Sequence, residues 1–272
     1  MVLVCKNHPK NIGKCLKNIK NTLRIATYNI HKGMSPLNQN FVLHGVRHAL
    51  KALDPDIVFL QEVQGLHHDL AKKIHTWPRD AQHVYLAGDA LFSAYGSNAH
   101  YLLGHHGNAL LSRFPILHRS NHDLTLHRFE QRGLLYCQLD LPHWTQSLHA
   151  FCVHLNLRAS DRRKQLQLMI RAIAEQVPAD APLVLAGDFN DWRGEVSEVL
   201  QSELGMDEVF QSLHGAHARS FPARMPFFSL DRIYTRGFTI ESAEVLQGAP
   251  WRSLSDHAPL LATLSLAGAQ KA

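Results

Sequence analysis

Apolar, strand-like runs recur along this chain at 23–30, 57–63, 83–88, 108–113, 133–141, 148–157 and 183–189, and again at 230–234, 238–245 and 259–266. Each is short and bounded by turn-forming residues, as strands are. Helical periodicity is clear only at 162–177, where Leu166, Met169, Ile170 and Ile173 fall at helix spacing, with shorter helices expected at 44–53 and 196–204. A single doubly wound parallel sheet needs a helix after nearly every strand. This strand-rich order favours two sheets packed together and covered by helices.

The chain has 272 residues, enough for one large α/β domain. Its net charge of +5 suggests a polyanionic partner, but Lys6, Lys10, Lys14, Lys17 and Lys20 stand in the first 20 residues without an acid. Setting those five aside from the 28 Lys and Arg leaves 23, against 23 Asp and Glu. The basic character therefore belongs to the N-terminal segment and says little about an active-site surface. Residues 1–22 are expected to be a basic lead-in, and 23–272 a single domain. The four cysteines lack C-x-x-C spacing, so they read as reduced thiols of a cytoplasmic protein. No stretch reaches the roughly 18 apolar residues of a membrane span, and nothing marks a protein partner.

Five segments share a shape, an apolar stretch that ends in acid, amide or His side chains: Tyr28-Asn29-Ile30-His31, Leu60-Gln61-Glu62-Val63, Val153-His154-Leu155-Asn156, Ala186-Gly187-Asp188-Phe189-Asn190 and Leu254-Ser255-Asp256-His257. Strand ends put such groups at one rim of a sheet, where ligands bind in α/β folds. Carboxylate and amide oxygens suit magnesium or manganese, the hard cations that phosphate-ester hydrolysis uses. Singly, each has an ordinary structural reading. Glu62 is equally a solvated strand-end carboxylate, Asp188 and Asn190 a turn, His154 a satisfied interior histidine, Asp231 a partner of Arg232 or Arg236, and Ser255 a cap.

Taken in order, Tyr-Asn-Ile, Gln-Glu-Val, Gly-Asn-Ala-Leu-Leu-Ser-Arg-Phe-Pro-Ile at 107–116, His154, Gly-Asp-Phe-Asn, Leu-Asp-Arg-Ile-Tyr and Ser-Asp-His resemble the endonuclease/exonuclease/phosphatase superfamily. His-Lys-Gly after the first Asn and Gly-Asp-Phe-Asn-Asp-Trp-Arg are similar to compact bacterial members like the protein encoded beside a cardiolipin synthase. The resemblance implies a four-layer α-β-β-α sandwich of two mixed sheets, deoxyribonuclease-like, and a Mg2+- or Mn2+-dependent phosphodiesterase. It implies Glu62 as the principal metal ligand, with Asn29 and Asp256 close to the ion or its waters. Asp188, steadied by Asn190, would orient and deprotonate the attacking water. His257 would contact the scissile phosphate with its tautomer fixed by Asp231, and His154 would stabilise phosphoryl oxygens or protonate the leaving group. Asn108 would bond a phosphate oxygen or be structural.

His31 stands where abasic-site endonucleases carry an acid, and the substrate loops are short, which counts against an abasic-site repair enzyme and against a large lipid-binding hairpin. Nucleic acid leads as the substrate because Arg158, Arg162, Arg163 and Lys164 have the charge to follow a phosphate backbone; they equally suit the solvated start of a helix. A phospholipid or small phosphodiester is the alternative, and a non-catalytic phosphate-binding scaffold a weaker one.

Overall fold

The computed structural model describes residues 22–142 and 144–267. The basic lead-in lies outside them except for Thr22, which pairs with Ser265 as the first strand residue. In chain order the elements begin with β1 (Thr22–Asn29), α1 (Leu43–Leu53), β2 (Ile57–His67), α2 (His68–Lys73) and α3 (Gln82–Ala87). Then come β3 (Phe92–Tyr101), β4 (Gly104–Ser112), β5 (Ile116–Asp123), β6 (Gly133–Leu139), β7 (Leu148–His154), α4 (Ala159–Gln176) and β8 (Leu183–Asp188). The chain continues through α5 (Glu195–Leu204), β9 (Asp207–Glu208), α6 (Val209–His214), β10 (Asp231–Arg236), β11 (Phe238–Val245), α7 (Trp251–Leu254) and β12 (Leu260–Leu266).

The strands form two six-stranded sheets, ordered β11-β12-β1-β2-β4-β3 and β5-β6-β7-β8-β10-β9. Each is mixed: β1 with β2 and β7 with β8 run parallel, and the other pairs are antiparallel. Alternate residues of the central strands explain the layering. Ile25 and Phe59 of one sheet meet Cys152 and Ala186 of the other in a shared interior. Ala26 and Leu60 face outward beneath Val46 of α1 and Trp251 of α7, and Phe151 and Leu185 lie beneath Leu166 and Ile173 of α4. Strands covered on both faces have no reason to alternate apolar with polar, so they read as continuous apolar runs. Each large side chain so buried contributes about 1.5–3 kcal/mol. The four-layer α-β-β-α sandwich expected from the sequence is the fold.

One expected strand is a helix. Val84 and Leu86 in the 83–88 run alternate as strand residues would, yet the buried positions are Gln82, Leu86 and Ala87, the spacing of a helix face. Gln82 anchors it, accepting from Gln64 N–H at 2.8 Å and donating to the Lys32 carbonyl at 2.8 Å.

Candidate active site

The C-terminal ends of the parallel pairs face one another across the sandwich. Asn29 ends β1, Glu62 lies in β2, His154 ends β7 and Asp188 ends β8; His154 and Asp188 are register partners. Asp231 opens β10 opposite Asp188, and His257 precedes β12. At the site the two sheets are bridged by Asn29 Nδ2, which donates to Asp188 Oδ2 at 3.1 Å. Asn29 Oδ1 accepts from His31 N–H at 3.1 Å, which fixes the amide's orientation. Ser255 Oγ donates to the Asn29 carbonyl at 2.7 Å and accepts from His257 N–H at 3.2 Å, so the expected cap is also the strut that carries His257.

Two site residues hold unusual backbone angles. Glu62 has φ 55° and sits where the β2–β4 register shifts, so a bulge re-aims its carboxylate. Asn190 has φ 50°; its N–H donates to Asp188 Oδ1 at 3.0 Å and its Nδ2 to the Leu155 carbonyl at 2.9 Å. The Asx-turn reading of this segment is therefore correct, and the turn is what holds Asp188. Non-glycine residues at positive φ cost of order 1–3 kcal/mol and concentrate where function over-determines the backbone.

Asp188 Oδ2 is the hub. Besides Asn29 it has His154 Nε2 at 3.5 Å and His257 Nε2 at 3.7 Å. The far side of His257 is fixed by Asp231, whose Oδ2 lies 2.8 Å from Nδ1. The Asp231 carboxylate forms no ion pair with Arg232, whose guanidinium donates to the backbone carbonyls of Ser229, Asp191 and Asp231. Burial raises the Asp188 pKa, Asp231 raises it further, His257 and two hydrogen bonds oppose, and the result is about 6. Burial works against a charged His257, but Asp231, Asp188 and Asp256 outweigh it and lift its pKa to about 10. His154 goes the other way: burial, then Arg132, His257 and His106 against the pull of Glu62, hold it well below the ordinary range. The resting site thus carries its proton on His257 and leaves His154 neutral.

These groups line a cleft of about 560 Å³, to which Asn29, Glu62, His154, Asp188, Asn190 and His257 all contribute. Asp231 stands behind His257. Asp256 lies on the flank, partly exposed, with Oδ1 3.3 Å from Ser255 Oγ and 3.8 Å from His31 Nδ1. Asn108 is buried beneath, its Nδ2 donating to the Gly133 and Cys152 carbonyls, the structural alternative of its two readings. Arg158 is exposed at the N-cap of α4 and outside the cleft lining. The basic track expected with it does not form: Arg162 is buried, donating to the Leu157 carbonyl at 2.6 Å, and Arg163 pairs with Glu195 at 3.3 Å.

Sequence reasoning passed over Arg132, which lines the cleft and is held by Glu130 at 3.1 Å. Its signal was slight, a lone arginine before β6. It also passed over Phe221 and Phe228, which with Leu157 and Trp192 make one wall apolar.

A divalent cation fits the donor set. Glu62 Oε2 is buried without a hydrogen-bond partner, and its nearest ion-pair neighbour is the Lys32 ammonium at 3.4 Å. Burial raises the Glu62 pKa, and interactions with His154, Lys32, His31 and His106 more than reverse this, to about 2; with His154 neutral, the Lys32 ammonium is the cation that holds the carboxylate ionised. An anionic, unsatisfied, buried oxygen is a hard-cation ligand. Asp188, Asp231 and His257 also bring ligand atoms within 4.8 Å of one another, but His257 Nδ1 and Asp231 already satisfy each other.

Known proteins resemble this chain to differing depth. The chain is 42% identical over 247 residues to the uncharacterised protein YbhP of Escherichia coli K12, covering 90% of this chain and 97% of that one. Among solved structures, an endonuclease/exonuclease/phosphatase from Bacteroides vulgatus superposes with TM-score 0.71 at 21% identity, over 91% of this chain and all of that one. D. rerio TDP2 in complex with a single-strand DNA product superposes with TM-score 0.68 at 20% identity, over 90% of this chain and 100% of that one. Likeness at that identity reaches the fold alone. The Endonuclease/Exonuclease/phosphatase family matches residues 26–257, a span that takes in every cleft residue from Asn29 to His257. The chain belongs to that family of phosphoester-hydrolysing, generally divalent-metal-dependent enzymes.

Proposed function

We propose that this protein is a magnesium- or manganese-dependent phosphodiesterase. The observation that carries the reading is the single carboxylate oxygen of Asp188 shared by Asn29, His154 and His257, across the cleft from the unsatisfied Glu62 carboxylate. Asp188, with a pKa near 6, is suited to take a proton from water at neutral pH. His257, kept protonated by Asp231, offers charge to the phosphoryl group and a proton to the departing oxygen. Neutral His154 serves as a hydrogen-bonding wall. Arg132, ion-paired with Glu130, adds a guanidinium to the cleft lining. A bound cation would neutralise charge on the phosphoryl oxygens, with Glu62 as its principal ligand and Asn29 and Asp256 beside it.

Nucleic acid, phospholipid and small phosphodiesters all present the group this site accepts. The buried, free Cys137 and Cys152 are compatible with the cytoplasmic location expected from the sequence. The test is a panel of single-stranded DNA, duplex DNA, RNA, bis-p-nitrophenyl phosphate and cardiolipin, each with magnesium, manganese and chelator. Hydrolysis that persists undiminished in chelator overturns the metal reading. Failure on every diester overturns the activity.

A further inference from the structure

The mouth of the cleft has a composition that its chemistry does not require. Four separate loops meet there, and each presents an exposed apolar side chain next in sequence to an exposed arginine. Arg128-Phe129 precede β6, and Leu157-Arg158 follow β7. Trp192-Arg193 follow β8, and Arg224-Met225 lie in the turn before β10. Phe129 is 86% exposed, Met225 72%, Leu157 60% and Trp192 48%.

The loops form one continuous rim. Leu157 N–H donates to Glu130 Oε1 at 3.1 Å, which ties the second loop to the first. Arg162 bonds the Leu157 carbonyl and stacks on Trp192 with Cζ 5.1 Å from the ring centroid, which ties the second to the third. Trp192 and Phe228 rings lie 6.4 Å apart, and Met225 belongs to the same turn as Phe228, which adds the fourth. The acids of these loops are turned from solvent or paired: Asp191 is buried and Glu130 holds Arg132. Arg128, Arg158, Arg193 and Arg224 form no ion pair among the described residues.

We propose that this rim docks on an anionic phospholipid surface and so presents the cleft to a phosphodiester lying in that surface. The inference rests on the phosphodiesterase reading for its substrate, but not for the docking itself. Apolar tips that enter the acyl boundary, each flanked by a cation at the height of the lipid phosphates, are what interfacial binding needs. Single-stranded nucleic acid also uses apolar and basic side chains together, but it requires flat rings on which bases stack. Phe227 and Phe228 add rings to the fourth loop, but Leu157 and Met225 are aliphatic and offer none. The Phe129 ring is covered by Arg128, whose Cζ lies 4.5 Å from its centroid, so the rim is not a row of stacking platforms. The charge follows the apolar tips around the rim and does not run along a track, since Arg162 is turned inward and Arg163 is paired.

The experiment uses the full chain with sucrose-loaded vesicles of pure phosphatidylcholine and of phosphatidylcholine with phosphatidylglycerol. Sedimentation is measured for the wild type, for the double variant Phe129→Ser with Met225→Ser, and for Arg128→Gln with Arg224→Gln. Wild type is expected on the anionic vesicles only. The apolar variant should lose at least about tenfold in partitioning, and the arginine variant about fivefold per charge. None of the four side chains lines the cleft, so hydrolysis of bis-p-nitrophenyl phosphate should stay unchanged in both variants. Any adhesion by the basic N-terminal segment is common to all these proteins, so a rim-specific signal is also read. The emission of Trp192 should shift to the blue on anionic vesicles, and that component should vanish in Trp192→Phe. Equal sedimentation of wild type and both variants, or an unshifted Trp192, overturns the proposal. So does loss of single-stranded DNA binding in the rim variants without any loss on vesicles. Loss of diester hydrolysis in the wild type would overturn the phosphodiesterase reading instead, while leaving the vesicle result to stand by itself.

Discussion

Asp231 and His257 show how a single hydrogen bond decides the protonation of the site. The Asp231 anion, 2.8 Å from Nδ1, is the largest influence that raises the His257 pKa. Asp231→Asn removes it, so the His257 pKa falls and the enzyme loses its acid form at a lower pH. The alkaline limb of the pH-rate profile should move downward, with the rate at pH 8 lower by about a hundredfold. The acid limb, set by ionisation of Asp188 near pH 6, reflects a base that must be deprotonated; activity therefore falls as pH drops through that value. An alkaline limb that does not move would show that His257 does not hold the transferred proton. The histidines should also differ by leaving group. His257→Ala should slow an alkyl diester by about 10²- to 10⁴-fold and a nitrophenyl diester much less, because a weakly basic leaving group needs little protonation. His154→Ala should slow both alike. The reverse pattern would make His154 the proton donor, the other role implied by the family resemblance.

At the scale of elements, the site depends on how closely β7 and β8 approach. A Cβ placed on Gly187 would lie 2.0 Å from the Val153 carbonyl oxygen, a backbone atom that cannot move without its strand. Gly187→Ala should therefore part the strands beside the His154–Asp188 register and lower stability by about 1–3 kcal/mol. It should also slow turnover more than that instability explains at temperatures where the protein stays folded. Calorimetry and kinetics on the same preparation test this, and a purely thermal effect would show that the register is tolerant. The central strands were legible in the sequence because both faces are buried, and the edge strand β11 because Phe238, Ile240, Ala243 and Val245 still mark its inner face. β3 and β5 were not, because they close the edges of their sheets and carry polar residues such as Ser97, Asn98, Arg119 and Asn121. The helices α2, α6 and α7 have at most six residues, too few to show a period. The site residues at strand ends were legible because their order is. Arg132, Phe221 and Phe228 were not, because loops bring them to the cleft from places that no strand pattern marks.

Over the whole molecule, the hydrophobic clusters lie within and outside the two sheets, whereas the site closes only the end of the sandwich, through the Asn29–Asp188 bond. The fold should therefore persist without a cation and gain stability with one. A ligand that binds the native state alone, at a hundred times its Kd, adds about 2.7 kcal/mol. For a domain of this size that corresponds to a rise of roughly 5–10 °C in Tm. Glu62→Gln removes the anionic oxygen that makes the site attractive to a hard cation, so its Tm should respond to magnesium or manganese by a degree or less. Without cation the variant should be no more stable than the wild type. Surroundings that lower the Glu62 pKa favour the ionised carboxylate, and the amide gives up the ion pair with Lys32. Thermal scans of both proteins in chelator and in each cation decide the matter. A wild type indifferent to cations, or a Glu62→Gln variant that gains as much as the wild type, would remove Glu62 from the metal site and direct attention to the Asp188, Asp231 and His257 group.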